Sequence, residues 1–301
     1  MFYILIFILN IVLLSSSFAQ GGIDPRVMDH LKSRAGQETF IQDTICVFYD
    51  FSAGDSLIYR VEAFDSLSIN FDTPLYRSRY EKIVFVVDSV DNMNRFHIRR
   101  IMTNYYGKES KGEIQDVERK SSPWLGRTVN LLIDAAGKRY SFGVDDSSAA
   151  ALTPGGAFAP ILFFDIGTYC DEAGKNWSVK VNDELPENGV PFPLYNYTSL
   201  YRFQNEIDTL GENCNRLEFI RTGQGSYKLK SESTNVHITC TTNGFGLLDI
   251  SKEKNIPIHF YTTVEQKLAI HRPDGSKVSG YHFTTQKFTL DQYIPAKKED
   301  K

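Results

Sequence analysis

Six histidines, four cysteines and scattered carboxylates are the residues of this 301-residue chain that could do chemistry, and their spacing limits what that chemistry is. His30, His97, His237, His259, His271 and His282 stand singly, and no His-Glu-x-x-His pair offers a zinc site. Only the fold could bring His237, His259 and His282 onto acids such as Asp249 or Glu265. A lone strand histidine is far more often half-buried or at the surface than a base or a ligand. Gly223-Gln224-Gly225-Ser226 lacks the closing glycine of a nucleophile elbow and reads as a hairpin tip. Phosphate loops and dinucleotide fingerprints are absent from the sequence. Asp145-Asp146 suits helix N-capping better than calcium. The expectation is a chain with no catalytic residues, no cofactor and no metal. Asn176-Trp177-Ser178 and Asn196-Tyr197-Thr198 fit the glycosylation pattern.

Cys46, Cys170, Cys214 and Cys240 allow three pairings. Proximity favours Cys214 with Cys240, which leaves Cys46 with Cys170. Strand parity argues against the first pair, because Cys240 shares a face with Val236 and Ile238 whereas Cys214 lies opposite Leu217 and Phe219. Four free buried thiols are as compatible with the sequence as two bridges. No two cysteines have metal-knuckle spacing.

Whatever these groups do, strands must position them. Aromatic and β-branched residues alternate with polar ones over Leu57–Phe64, Arg95–Met102, Thr128–Ile133, Leu200–Ile207, Asn235–Thr241 and His259–Val264. Turn chemistry falls between strands at Asp91-Asn92, Ala136-Gly137, Asn243-Gly244 and Pro273-Asp274-Gly275. Ile83–Val87 lacks alternation and is expected to be buried on both faces. Helix is confined to Pro25–Ala35, capped by Asp24, and a short turn at Asp146–Leu152.

Ser56-Leu57-Ile58-Tyr59-Arg60-Val61 before Asp65-Ser66-Leu67 resembles Ser199-Leu200-Tyr201-Arg202-Phe203 before Asp208-Thr209-Leu210, which suggests two similar β-meander halves. The fold expected is mainly β: a strongly curved antiparallel sheet, half-barrel or open barrel, of two such halves with one or two short helices. A two-sheet β-sandwich is the alternative.

The domain reading starts with an apolar leader over 1–19, whose Ser17 and Ala19 suit cleavage before Gln20. A short-helix segment over 20–43 follows, then the first half over 44–153, a connection over 154–193, and the second half over 194–301 with a short charged tail. The mature chain carries no other run of membrane-spanning length, so an exported, periplasmic or extracellular soluble protein is expected. With 33 Lys and Arg against 37 Asp and Glu, net charge −4, no nucleic-acid partner is expected.

The connection holds 5 of the 11 prolines yet is apolar through Phe158, Ile161, Leu162, Phe163, Phe164 and Ile166. It is either a lid over a concave sheet or a plug that completes the core, the plug needing no ligand. In the lid reading Phe158, Phe163 and Phe164 line a ligand cavity, with Trp124 and Trp177 at its rim because indoles pair an apolar face with one donor.

An order of helix, meander, short helix and apolar loop, then Gly174-Lys175-Asn176-Trp177 opening a second meander, resembles the periplasmic lipoprotein carriers and related half-barrel lipid binders. It is also similar to uncharacterised secreted bacterial families whose strands begin Gly54-Asp55-Ser56-Leu57-Ile58-Tyr59. The resemblance spans about Phe48 to Leu290 and implies a bent sheet with an acyl chain on its concave face, and hence a lipid or lipidated protein as partner. The chain departs from the carriers in length and at Asn188-Gly189-Val190-Pro191-Phe192-Pro193. Three functions follow in order: a non-catalytic binder of an apolar ligand or lipidated partner, an envelope structural or protein-interaction module, and a hydrolase assembled from distant strands.

Overall fold

The computed structural model describes residues 44–144, 159–167, 169–172, 176–183, 194–231 and 234–297. Period-two alternation becomes fourteen strands among them: β1 (Thr44–Val47), β2 (Ser56–Ile69), β3 (Leu75–Val90), β4 (Arg95–Lys111), β5 (Ile114–Arg119), β6 (Thr128–Asp134), β7 (Arg139–Val144), β8 (Tyr169–Glu172), β9 (Asn176–Asn182), β10 (Leu194–Thr209), β11 (Glu212–Ser231), β12 (Thr234–Ser251), β13 (Pro257–His271) and β14 (Lys277–Ile294). β1 pairs with β8 and the other twelve form one antiparallel sheet, ordered β7-β6-β4-β3-β2-β14-β13-β12-β11-β10-β9 with β5 against β4. One continuous ladder is a curved sheet, not the two-sheet sandwich of the alternative reading. Among the described residues there is no helix. The leader, the cleavage point at Gln20 and both expected short helices lie outside the described residues.

Strands from the first half run β2 to β7 and from the second β10 to β14. They meet where β2 pairs with β14, Val61 opposite Phe288 and Asp65 opposite Thr284. The connection supplies β8 and β9. The sheet is open, yet it curves until Arg139, first residue of β7, forms an ion pair with Asp183, which follows β9 at the other end.

Turns form as expected at 91–94, where Asn94 N donates to Asp91 O, and at Gly137 and Gly275, both with φ of 80°. Asn243-Gly244 and Gly223-Gln224-Gly225 are corrections, because both lie inside long strands. Gly223 faces Thr242, and Gly244 faces Arg221 and Val264. Their glycines answer a packing demand instead. A Cβ at Gly244 would stand 3.0 Å from Thr263 O, and one at Gly223 2.4 Å from the Tyr197 backbone. Ile83–Val87 is another correction: Val84 and Val86 are only half-buried, so the run has a core face and an outer face like the other strands.

Cys46 and Cys170 are cross-strand partners in β1 and β8 and form a disulfide, Cα–Cα 4.1 Å. Cys214 and Cys240 are free and buried. Distance and not parity keeps them apart, since Cys240 pairs opposite Gly225, eleven residues along β11 from Cys214, and Cys214 is buried in the same core as Leu217 and Phe219.

Candidate functional site

The concave face of the sheet is banded. Leu57, Tyr59, Val61, Ile83, Phe85, Leu217, Phe219, Leu248, Phe260 and Phe288 make an apolar band of the main core. Two to six positions further along the same strands the face turns polar, with Asp65, Arg79, Glu81, Thr242, Thr262, Gln266, His282, Thr284 and Gln286 buried across it. Beyond that belt comes a second apolar cluster of Tyr227, Ile238, Cys240 and Leu268, with Leu67, Ile69, Tyr195, Val236 and Ile270 half-buried around it.

The first band is filled by the connection. Phe163 sits edge-on to Phe85 at 4.8 Å and to Phe51 at 5.3 Å, while Phe164 lies 5.1 Å from Phe219 and 5.3 Å from Phe260. Backbone groups hold the segment in place. Ile166 N donates to Ala136 O at 2.8 Å, the Tyr201 hydroxyl to Asp165 O at 2.6 Å, and Trp177 Nε1 to Ile166 O at 2.7 Å. Extracting Leu162, Phe163, Phe164 and Ile166 would cost on the order of 6 to 12 kcal/mol at the usual value per buried side chain. The residues expected around a ligand are therefore found as follows. Phe163 and Phe164 are core and also close one end of the pocket described below, Trp124 is buried in the same core, and Trp177 stacks on Tyr201 at 5.4 Å. Phe158 lies outside the described residues.

The belt carries most of the buried charge. Arg79 Nε donates to Asp65 Oδ2 at 2.7 Å, its Nη1 pairs with Glu81, and His282 bridges Gln266 Oε1 at 3.0 Å and Asp65 Oδ1 at 3.2 Å. Burial alone would raise the Asp65 pKa, but the Arg79 charge and the hydrogen bonds from His282 and Arg79 hold it well below the carboxylate range. This network is internally paired. The other histidines have separate partners: His259 Nδ1 lies 3.5 Å from Asp249, and His237 stacks on His271 and meets Ser226 Oγ at 2.9 Å. So His237, His259 and His282 do not share a site. Among the described residues no group of three or more His, Cys, Asp or Glu could hold a metal ion.

Where belt and plug meet, a pocket of about 80 Å³ opens, lined among others by Phe164, Asp165, Tyr197, Arg221, Thr242 and Gln266. It has room for a few waters or one small polar group, and is too small for an acyl chain. Arg221 occupies it as an aromatic-caged cation, its guanidinium 4.4 Å from the Tyr197 ring and 4.7 Å from that of Phe164. Its Nε donates to Ser199 Oγ at 3.0 Å, and its buried Nη2 has no hydrogen-bond partner. Burial pushes the Asp165 pKa up. Two larger depressions, of about 590 and 280 Å³, are lined mainly by residues of the outer parity, such as Gln224, Thr239 and Lys267 or Glu62, Tyr80 and Lys287.

The belt was hidden from sequence reasoning because β3 inverts its binary pattern there. Tyr76 and Tyr80 look like the core alternation and are 47% and 54% exposed, whereas Arg79 and Glu81 between and beside them are 2% and 4% exposed. Counting back by two from Ile83 and Phe85 is the signal that would have placed them inside.

No protein-family profile matches the chain, and no curated protein matches it. Among solved structures the chain is similar to lipovitellin, from work on lipid–protein interactions in that protein, at 13% identity and a TM-score of 0.45. The match covers 84% of this chain and 26% of the lipovitellin chain, so the chain spans about a quarter of that protein's length.

Proposed function

We propose that the chain is a non-catalytic, exported binding protein that holds the apolar part of a lipid or lipidated partner on the concave face of its sheet, beyond the plug. The observation that carries this reading is the second apolar cluster, which shares the concave face with the core but keeps Leu67, Ile69, Tyr195 and Ile270 only half-buried. The four steps of antiparallel strand from Gln266 to Ile270 cover roughly 14 Å at 3.4 Å per residue, the length of a medium acyl chain. Export is supported by the apolar leader and by the Cys46–Cys170 disulfide, which suits an oxidising compartment.

Native mass spectrometry of the full chain purified from its own compartment tests the proposal. A co-purifying lipid-sized adduct, reduced by Ile69→Glu, is expected. Protein free of adduct that also takes up neither dodecanol nor dodecanoate would overturn it.

One observation favours a second reading, a protein-interaction module of the envelope. On the outer face Phe64 stacks on Tyr76 at 6.3 Å with Tyr80 on the same strand as Tyr76, and all three are exposed. Retained partner binding after Tyr76→Ser and Tyr80→Ser would remove that reading.

A further inference from the structure

Arg221 is an unusual cation of this fold. Among the other inward arginines, Arg79 is answered by Asp65 and Glu81 and Arg77 by Glu109 at 2.7 Å, while Arg100, opposite Phe85, has the Glu81 charge near it. Arg139, at the edge of the same pocket, is answered by Asp183. Arg221 has instead three aromatic rings, of Tyr197, Phe164 and Phe219, and the Ser199 and Tyr201 hydroxyls, and its buried Nη2 has no hydrogen-bond partner. A guanidinium keeps its charge throughout the accessible pH range, so the site cannot neutralise itself. Asp165, the nearby carboxyl, takes its hydrogen bond from Gly167 N at 3.0 Å, and burial disfavours its charged form. Gly244, the cross-strand partner of Arg221, also lines the pocket.

Resting on the binding reading above, we infer that Arg221 receives the carboxylate head of an amphipathic ligand whose chain runs over the belt toward the second apolar cluster. A carboxylate fits the chemistry in three ways. It accepts the unused Nη2 hydrogen, it supplies the missing negative charge in a low-dielectric pocket, and it is small enough for a space of about 80 Å³. The direction is set by the register. Thr242 and Gln266 line the pocket, and Cys240 and Leu268 are the next residues on the same face, inside the apolar cluster. A head at Arg221 therefore points its chain at Leu268 and Ile270.

The test compares dodecanoate, dodecanol and acetate on the full chain by isothermal titration calorimetry. The wild type is expected to bind dodecanoate at least tenfold more tightly than dodecanol, with acetate failing to compete at equal concentration. Arg221→Met should bring dodecanoate to within twofold of dodecanol and leave dodecanol unchanged. Equal wild-type affinity for the two C12 ligands overturns the head-group assignment while leaving the apolar-binding reading intact. Failure of both to bind overturns that reading and the assignment with it, and competition by acetate as strong as by dodecanoate overturns the amphiphile. Should Arg221→Met not fold, the wild-type comparison still decides, and Arg221→Lys, which keeps the charge, should retain part of the preference.

Discussion

Arg139 and Asp183 belong to opposite ends of a sheet that never closes, and their ion pair bridges the gap between them. Asp183 also accepts the Tyr195 backbone N–H at 2.8 Å, so its carboxylate ties β10 and β7 to one point. Both side chains are largely shielded from water. Arg139→Met leaves that carboxylate without its counter-charge and should lower stability by about 3 kcal/mol, the usual result of breaking a buried pair from one side. Urea denaturation measures it, and a loss under about 0.5 kcal/mol would mean the seam is held elsewhere.

Acid should unfold the protein through identifiable carboxylates. Asp249 is fully buried and receives Arg216 through two hydrogen bonds of 2.7 Å, which outweigh the cost of burial and hold its pKa at about 2 against an ordinary 3.8. A folded value below the unfolded one stabilises the native state above the unfolded pKa, and that stability is lost as pH falls from about 4 toward 2. It amounts to about 2 kcal/mol for Asp249. Asp65 is shifted in the same direction and adds to the loss. Free energies of unfolding at pH 6, 4 and 3 should fall in that order, and Asp249→Asn should flatten the slope.

Two glycines separate backbone strain from packing. Gly137 and Gly211 have nearly the same positive φ, 80° and 81°, but a Cβ at Gly137 would meet Phe164 O at 2.1 Å whereas one at Gly211 meets nothing within 4 Å. Gly211→Ala should cost about 1 kcal/mol from the left-handed backbone alone. Gly137→Ala should cost at least about 2 kcal/mol more, because it pushes the plug away from the β6–β7 turn. Equal thermal shifts for the pair would show that the plug yields freely.

Phe163→Ala should destabilise by about 3 to 5 kcal/mol, since the ring is buried among Tyr49, Phe51 and Phe85 and its removal leaves a cavity. Its dodecanol affinity, measured where the variant is still folded, should match the wild type. A weakened affinity with an unchanged denaturation midpoint would make Phe163 a ligand contact and not a plug residue.

Much of the architecture was legible because burial on one face writes itself into the sequence with period two. Each of the six alternating segments lies inside an observed strand, and Val236, Ile238 and Cys240 took the face their spacing indicated. The same rule failed where the concave face is polar. Arg79, Glu81 and Gln266 alternate with outward residues that are no less apolar, so period alone cannot tell which set is inside. Gly244 misled for a related reason. Glycine marks both a chain reversal and a strand residue that must leave room for a neighbour, and only the facing Arg221 and Val264 distinguish the two. Arg221 drew no notice in the sequence because what sets it apart, a cage of rings and an unused donor, is assembled from β10, β11 and the connection.

The junction of β2 with β14 has a kinetic meaning. Asp65 and His282 are 217 residues apart and still share a hydrogen bond, so the centre of the sheet is its least local contact. Until β14 arrives, each half presents a long unpaired edge, that of β2 in one and that of β13 in the other. Chains of such high contact order fold slowly, which exposes them to edge-to-edge association while they wait. Truncation before Lys277 should therefore give aggregates, not a smaller soluble domain, and the whole chain should refold more slowly than a protein of its size built from local hairpins.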